Sequence, residues 1–184
     1  MAMFPMFVDL NGRDCLIIGA GEVALRKIEQ LIKFTPILTV VAPSIHEEIR
    51  RLANEHVITL LEREYRIEDI DGKYLVIGAL DEIGEQEKIY HACNERRIPV
   101  NCVDSPALCS FIFPALIVEQ SLCIGINTEG KAPAVSSALR IYLTSVIPDG
   151  IHTLIDKVHT IRQNERVGKE RQEKIIEICR KFFN

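Results

Sequence analysis

From Asp14 onward, short apolar runs alternate with longer stretches whose apolar residues recur every three or four positions. That rhythm predicts β-strands joined by amphipathic helices, with strands apolar enough to be buried on both faces of a parallel sheet. Residues 15–18 read as a first strand. After the turn Gly19-Ala20-Gly21, the residues Val23, Leu25, Ile28, Leu31 and Ile32 mark a helix that stops near Phe34 and Thr35, ahead of Pro36. Residues 37–41 read as a second strand. Ser44 with Glu47 three positions on has the spacing of a capping box, which predicts a helix from just after Pro43 toward Asn54. Residues 57–61 and 74–77 read as the third and fourth strands, 81–96 as a helix, and 100–103 as a short fifth strand.

The pattern changes after Asp104. Two apolar runs, 111–118 and 121–127, flank Glu119-Gln120 and predict a hairpin rather than another crossover. Beyond Pro133 the chain is helix-compatible, broken at Pro148-Asp149-Gly150 and near Gly168, and residues 169–184 form a charged amphipathic helix. The expected class is therefore α/β: a Rossmann-like parallel sheet over 1–110, a small region over 111–146 and a helical C-terminal region over 147–184. A chain of 184 residues has room for one such unit of ~100–150 residues plus an appendage, and not for two large domains.

Composition narrows the function classes. Hydrophobic residues make up 47% and charged residues 26%, and no apolar run approaches the ~20 residues of a membrane span, so a globular protein with no membrane partner is expected. The opening MAMFPMFVDLNGRD lacks a basic stretch leading into a long apolar one, which leads us to expect a cytoplasmic location. A net charge of −4 without a basic stripe argues against a nucleic-acid partner. The six cysteines form no CxxC pair, so reduced thiols packed as small hydrophobes are expected. The five histidines show no HxH or HExxH spacing, and no structural metal is expected; His152 and His159 share a helix face and read as solvent-exposed.

The strongest local signal is Gly19-Ala20-Gly21-Glu22-Val23-Ala24, a GxGxxA turn between a predicted strand and a predicted helix. Gly19 permits the tight turn. Gly21 lets the backbone approach a pyrophosphate, whose charge the helix N-terminus favours, and Ala24 stands for the usual third glycine. The competing reading is a turn that only allows close helix packing. A typical NAD site also has an acidic residue at the end of the second strand, whereas this strand runs into Val41-Ala42-Pro43-Ser44. Ser44 and the backbone around Pro43 either supply the ribose contact or, for Ser44, only cap the next helix.

The segment GAGEVALRK is similar to the opening of precorrin-2 dehydrogenases and of the N-terminal domain of siroheme synthase. Asn101-Cys102-Val103-Asp104-Ser105-Pro106, followed by Cys109-Ser110-Phe111-Ile112-Phe113-Pro114-Ala115, resembles that family's NVVD-x-P and SFI-x-P-A block. Asn127-Thr128-Glu129-Gly130-Lys131-Ala132-Pro133-Ala134 resembles its ST-G-G-x-SP-x segment, with Glu129 in place of a common glycine. The likeness runs from about Phe4 to Arg140, and beyond it the match is only in helical character. It implies a Rossmann domain, a dimerisation region and hence a homodimer, NAD as cofactor and a catalytic aspartate matching Asp104. It also implies cofactor contacts at Glu22, Val23, Pro43 and Ser44. Thr128 falls where some siroheme synthases carry a serine that can be phosphorylated.

The implied activity is oxidation of precorrin-2 to sirohydrochlorin, with loss of a hydride to NAD and of a proton to a base. From the residues alone, Asp104 is either that base at a strand end or a turn-former before Ser105-Pro106. A tetrapyrrole rich in carboxylates calls for cationic side chains, for which Lys131, Arg140, Arg97 and Arg26 are candidates, with solvated surface charge as the competing reading. Two other functions stay open: a bifunctional enzyme that also inserts iron or cobalt, and a non-catalytic NAD-sensing module.

Overall fold

The computed structural model describes residues 3–183. The chain divides into two compact units, one ending at Ile112 and the other starting at Phe113. In the first, β1 (Asp14–Ile18), β2 (Ile37–Ala42), β3 (Thr59–Glu62), β4 (Leu75–Gly78) and β5 (Val100–Cys102) form one sheet in the order β3-β2-β1-β4-β5, every pair parallel. The helices are α1 (Glu22–Leu31), α2 (Glu47–Asn54) and α3 (Ile83–Glu95). The chain steps outward from β1 to β3 and then returns to β4 on the other side of β1. This reversal opens a crevice at the carboxyl ends of β1 and β4, where ligands bind in open α/β sheets.

Burial explains the apolar runs. All four residues of β4 are buried, as is β1 from Cys15 onward, because helices or loops cover both faces of the sheet. One face packs Leu16, Ile18, Val41, Val76, Val100 and Cys102 against Ile89, Ala92 and Cys93 of α3 and against Ile70. α1 buries Ala24, Leu25, Ile28 and Leu31, the helical stripe that the sequence pattern predicts. It passes into a 3-10 turn over Ile32–Phe34 and stops at Thr35, whose left-handed backbone precedes Pro36. No α-helix joins β3 to β4. A 3-10 turn over Ile67–Ile70 takes that place, held by two hydrogen bonds from the Arg63 guanidinium to Asp69 at 2.8 and 2.7 Å.

Several boundaries differ from expectation for identifiable reasons. α2 begins at Glu47 and not just after Pro43, because its cap is His46: Nδ1 accepts from the Glu48 N–H at 3.2 Å, and the His46 N–H donates to the Ala20 carbonyl at 2.9 Å. Ser44 is therefore outside the helix and does not cap it. β3 begins at Thr59 rather than 57, since His56 adopts φ 58° and the Val57 N–H closes the end of α2 on the Leu52 carbonyl. α3 begins at Ile83, behind the extended Glu82.

The second unit holds an antiparallel hairpin, β6 (Ala115–Glu119) and β7 (Leu122–Ile126), paired from Ala115↔Ile126 to Glu119↔Leu122. Residues 111–114 precede the hairpin and are not part of it. α4 (Pro133–Val146) packs on the hairpin, and α5 (Ile151–Asn164) packs on α6 (Lys169–Phe183); Asn184 lies outside the described residues. The α5–α6 connection is tied by the Arg171 guanidinium, which donates to the Arg162 and Glu165 carbonyls at 2.9 and 3.1 Å. His159 is exposed, but His152 is half-buried, its Nε2 3.8 Å from the Glu119 carboxylate. Among the described residues no helix is long and apolar enough to cross a membrane.

Candidate functional site

The crevice is built around the turn that leaves β1. Gly19 has φ 104°, and a Cβ there would lie 2.1 Å from the Ala79 carbonyl oxygen, so only glycine fits. Its N–H donates to the Val41 carbonyl at 2.9 Å, binding the turn to the end of β2. Gly21 differs. It caps α1 with extended backbone and no side-chain hydrogen bond, and a Cβ on it would meet nothing within 4 Å. Protein packing thus gives no reason for glycine at 21, while an uncapped helix N-terminus with open space above it suits a phosphate group. The turn fits a dinucleotide on this observation.

Glu22 is exposed beside it, and Val23 is half-buried. Glu22 Oε2 lies 3.3 Å from Nε2 of His46. Because the Nδ1 of His46 accepts a backbone hydrogen bond, a neutral ring carries its proton on Nε2, the atom that faces Glu22. His46 therefore draws Glu22 and the loop bearing the exposed Pro43 and Ser44 to the same rim. Sequence reasoning passed over this residue, since histidine is not a favoured cap and its partners at Ala20 and Glu22 are distant along the chain.

Asp104 lies on the turn leaving β5, exposed and with φ 60°. A non-glycine residue held there costs about 1–3 kcal/mol and needs surrounding structure to keep it. That structure is the NCVD and CSF block. The Asn101 amide, buried, donates to the Phe111 carbonyl at 3.0 Å and to Cys109 Sγ at 3.4 Å. Ser110 Oγ accepts from the Val100 N–H at 2.8 Å, and the Ser110 N–H returns a bond to the Val100 carbonyl at 2.8 Å. The segment after Asp104 is thus folded back along β5, while the Val103 N–H is fixed on the Gly78 carbonyl at 2.9 Å.

Lys27 of α1 is half-buried within electrostatic range of Asp104 and Cys109. Burial, then the neighbouring Arg26, push its ammonium pKa down, and Asp104 and Cys109 oppose them. Arg26 is exposed on α1, whereas Arg97 precedes β5 and so sits at the edge of the sheet opposite the crevice. A second hollow beyond β4 is lined by Glu64, Tyr65, Leu80, Asp81, Glu82 and Glu85. The Tyr65 hydroxyl donates to Glu85 there, and burial followed by that bond raises its pKa. Four carboxylates make this hollow a poor place for an anion, which leaves the glycine-rich turn as the anion-facing side of the crevice.

Thr128, Lys131 and Arg140 belong to the second unit. Thr128 is half-buried, its hydroxyl 3.0 Å from that of the buried Ser136. Lys131 is exposed, donates its N–H to the Thr128 carbonyl at 2.9 Å and pairs with Glu129 at 2.6 Å. Arg140 is exposed on α4. Among the described residues no group of three or more His, Cys, Asp or Glu side chains is arranged to hold a metal.

A family model described as "Putative NAD(P)-binding" matches residues 6–115, the glycine-rich turn, the sheet and the Asp104 block together. The chain belongs to this family. It is also similar to the siroheme synthase of Pseudomonas aeruginosa (strain LESB58), 43% identical over 148 residues that make up 80% of this chain and 32% of that protein. The siroheme synthase of Psychrobacter sp. (strain PRwf-1) is 39% identical over 150 residues, 82% of this chain and 31% of that protein. The chain thus spans about a third of the length of the curated relatives it matches. Among solved structures, one titled "SirC, precorrin-2 dehydrogenase" superposes with a TM-score of 0.76 at 21% identity, covering 96% of this chain and 89% of that one, a likeness of fold.

Proposed function

We propose that this chain oxidises precorrin-2 to sirohydrochlorin with NAD in the formation of siroheme. The observation that carries the reading is the pairing of an uncapped, open turn at Gly21 with the strained Asp104 at the carboxyl edge of one sheet. The similarity to siroheme synthases over most of this chain supplies the substrate class. NAD supplies the hydride acceptor. Gly19, Gly21, Glu22 and Val23 hold its pyrophosphate side, and Pro43 and Ser44 border the ribose in place of an acidic residue. The Asp104 carboxylate takes the proton that leaves the macrocycle. Lys131 and Arg140 meet substrate carboxylates, and Thr128 lies on the same turn as Lys131.

The domain reading goes with this: a nucleotide unit over 1–110, a dimerisation region over 111–146 and a helical region over 147–184. A homodimer is supported by Val135, Leu139, Tyr142 and Val146, spaced as one seam along α4 and all exposed. The six cysteines, all unpaired, fit a reducing cytoplasm.

The test is an anaerobic absorbance assay with freshly generated precorrin-2 and NAD, in which sirohydrochlorin and NADH are expected to appear in equal amounts. NAD binding without turnover would overturn the reading. Replacing Asp104 by Asn is expected to lower turnover by about 100-fold or more, on the scale of a lost general base, and to leave NAD affinity unchanged.

A further inference from the structure

Gln86 is a polar residue on the buried stripe of α3, in line with Ile89 and Cys93, and only 4% of it is exposed. Its Nε2 donates to two carbonyls that are far apart in the chain: Leu80, on the loop leaving β4, at 2.5 Å, and Val103, at the end of β5, at 3.1 Å. Its Oε1 is buried without a hydrogen-bond partner. For packing alone, a methionine of the same length would avoid that orphaned oxygen. What the amide provides is a tie between the two loops at the lip of the crevice. Val103 is then held on both peptide groups that flank its Cα, by Gly78 on the N–H and by Gln86 on the carbonyl it shares with the Asp104 peptide, and Asp104 follows in its left-handed conformation.

We infer that Gln86 is a positioning residue, whose clasp of Leu80 and Val103 fixes the backbone of Asp104 and so aims the carboxylate into the crevice. The inference rests on the reading of Asp104 as the proton acceptor and adds the element that orients it. The donor comes from the first turn of α3, outside both loops.

Gln86→Met keeps the side chain's length and removes both donors, and the two carbonyls it releases belong to half-buried residues, Leu80 and Val103. The kcat for sirohydrochlorin formation in the full chain is expected to fall by roughly 30- to 100-fold, the scale of a carboxylate displaced by about 1 Å. NAD affinity, read by calorimetry, is expected to move by less than about threefold, since a residue acting only in the transition state leaves ground-state binding alone. In single-turnover measurements on the Asp104→Asn background, Gln86→Met is expected to add no further loss, because its effect runs through the carboxylate.

Wild-type kcat in Gln86→Met, or the same fold loss in both backgrounds, would overturn the inference in favour of a merely structural role. Should Gln86→Met fail to fold, Gln86→Asn, whose amide is one methylene shorter and does not keep both bonds, carries the same comparison with a smaller expected loss. If Asp104→Asn itself turns over at the wild-type rate, the reading of Asp104 fails and takes this inference with it. Loss in Asp104→Asn with none in Gln86→Met sinks the inference alone.

Discussion

In the sheet unit, the side chains of Leu16, Ile17, Ile18, Val76 and Ile77 are at most 1% exposed, and two helices, a 3-10 segment and a third helix close over them. In the second unit, Ile117 and Leu154 are the only buried apolar residues among the described residues, while Val135, Leu139, Ile141, Tyr142 and Val146 of α4 face solvent. The first unit buries the apolar strands of its sheet within itself, although Phe4, Met6 and Phe7 ahead of β1 are exposed. The second has secondary structure of comparable regularity but leaves an apolar helix face for something else to cover. Regular elements are therefore not a measure of a finished core, and the two units should respond to perturbation in different ways.

The largest difference is expected for core truncation. Ile77→Ala should cost about 2–5 kcal/mol in denaturant unfolding followed by circular dichroism, as full burial and the cavity left behind dictate. Ile141→Ala, at a position 63% exposed, should stay within roughly 0.5 kcal/mol. Equal effects would erase the contrast between the units.

The two glycines of the turn sharpen the contrast within the first unit. Gly19→Ala is expected to destabilise it by about 1–3 kcal/mol or more, because the new methyl meets the Ala79 backbone at 2.1 Å. Gly21→Ala meets nothing, so its melting temperature should hold while NAD affinity falls by about tenfold, equivalent to ~1.4 kcal/mol, in calorimetry. Unchanged NAD affinity in Gly21→Ala would remove the pyrophosphate from this turn.

A smaller effect is expected from the thiols. Burial pushes the pKa values of Cys15 and Cys93 up to about 11 and of Cys102 up to about 12, in each case from 9.0. A thiol whose folded pKa is raised favours folding below its unfolded pKa, and that contribution is lost as pH climbs through the folded value. The sheet unit should therefore lose stability from about pH 9 toward 11, visible as a falling melting temperature. At neutral pH, peptide mass spectrometry after alkylation should show Cys123 and Cys179, both half-buried in the second unit, labelled well before Cys15, Cys93, Cys102 and Cys109. The least change in melting temperature is expected for Leu139→Asp with Tyr142→Asp, both on exposed positions of α4; if the proposed homodimer forms through this face, the pair should shift sedimentation toward the monomer.

Much of the first unit is legible in local pattern. The strand cores, the α1 stripe and the turn at Gly19 all depend on residues a few positions apart, and that is the range over which periodicity operates. The errors have the same origin. Ser44 and Glu47 have capping-box spacing, yet His46 becomes the cap because its N–H is claimed by Ala20, 26 positions back. Gln86 has a signal, a polar residue interrupting the stripe that Ile89 and Cys93 continue, but nothing local says what it holds.

By itself, then, the sequence determined the order and type of nearly every element, the glycine-bearing turn between β1 and α1, and the resemblance that names Asp104. Only the tertiary structure decided that Gly19 is required by packing and Gly21 is not, that the Asn101 and Ser110 hydrogen bonds fold the loop after Asp104 against β5, and that one buried amide joins the loops of β4 and β5. The physical reason is range. Hydrophobic periodicity and turn chemistry act between neighbours along the chain, whereas these hydrogen bonds and close approaches join residues that only the sheet brings together.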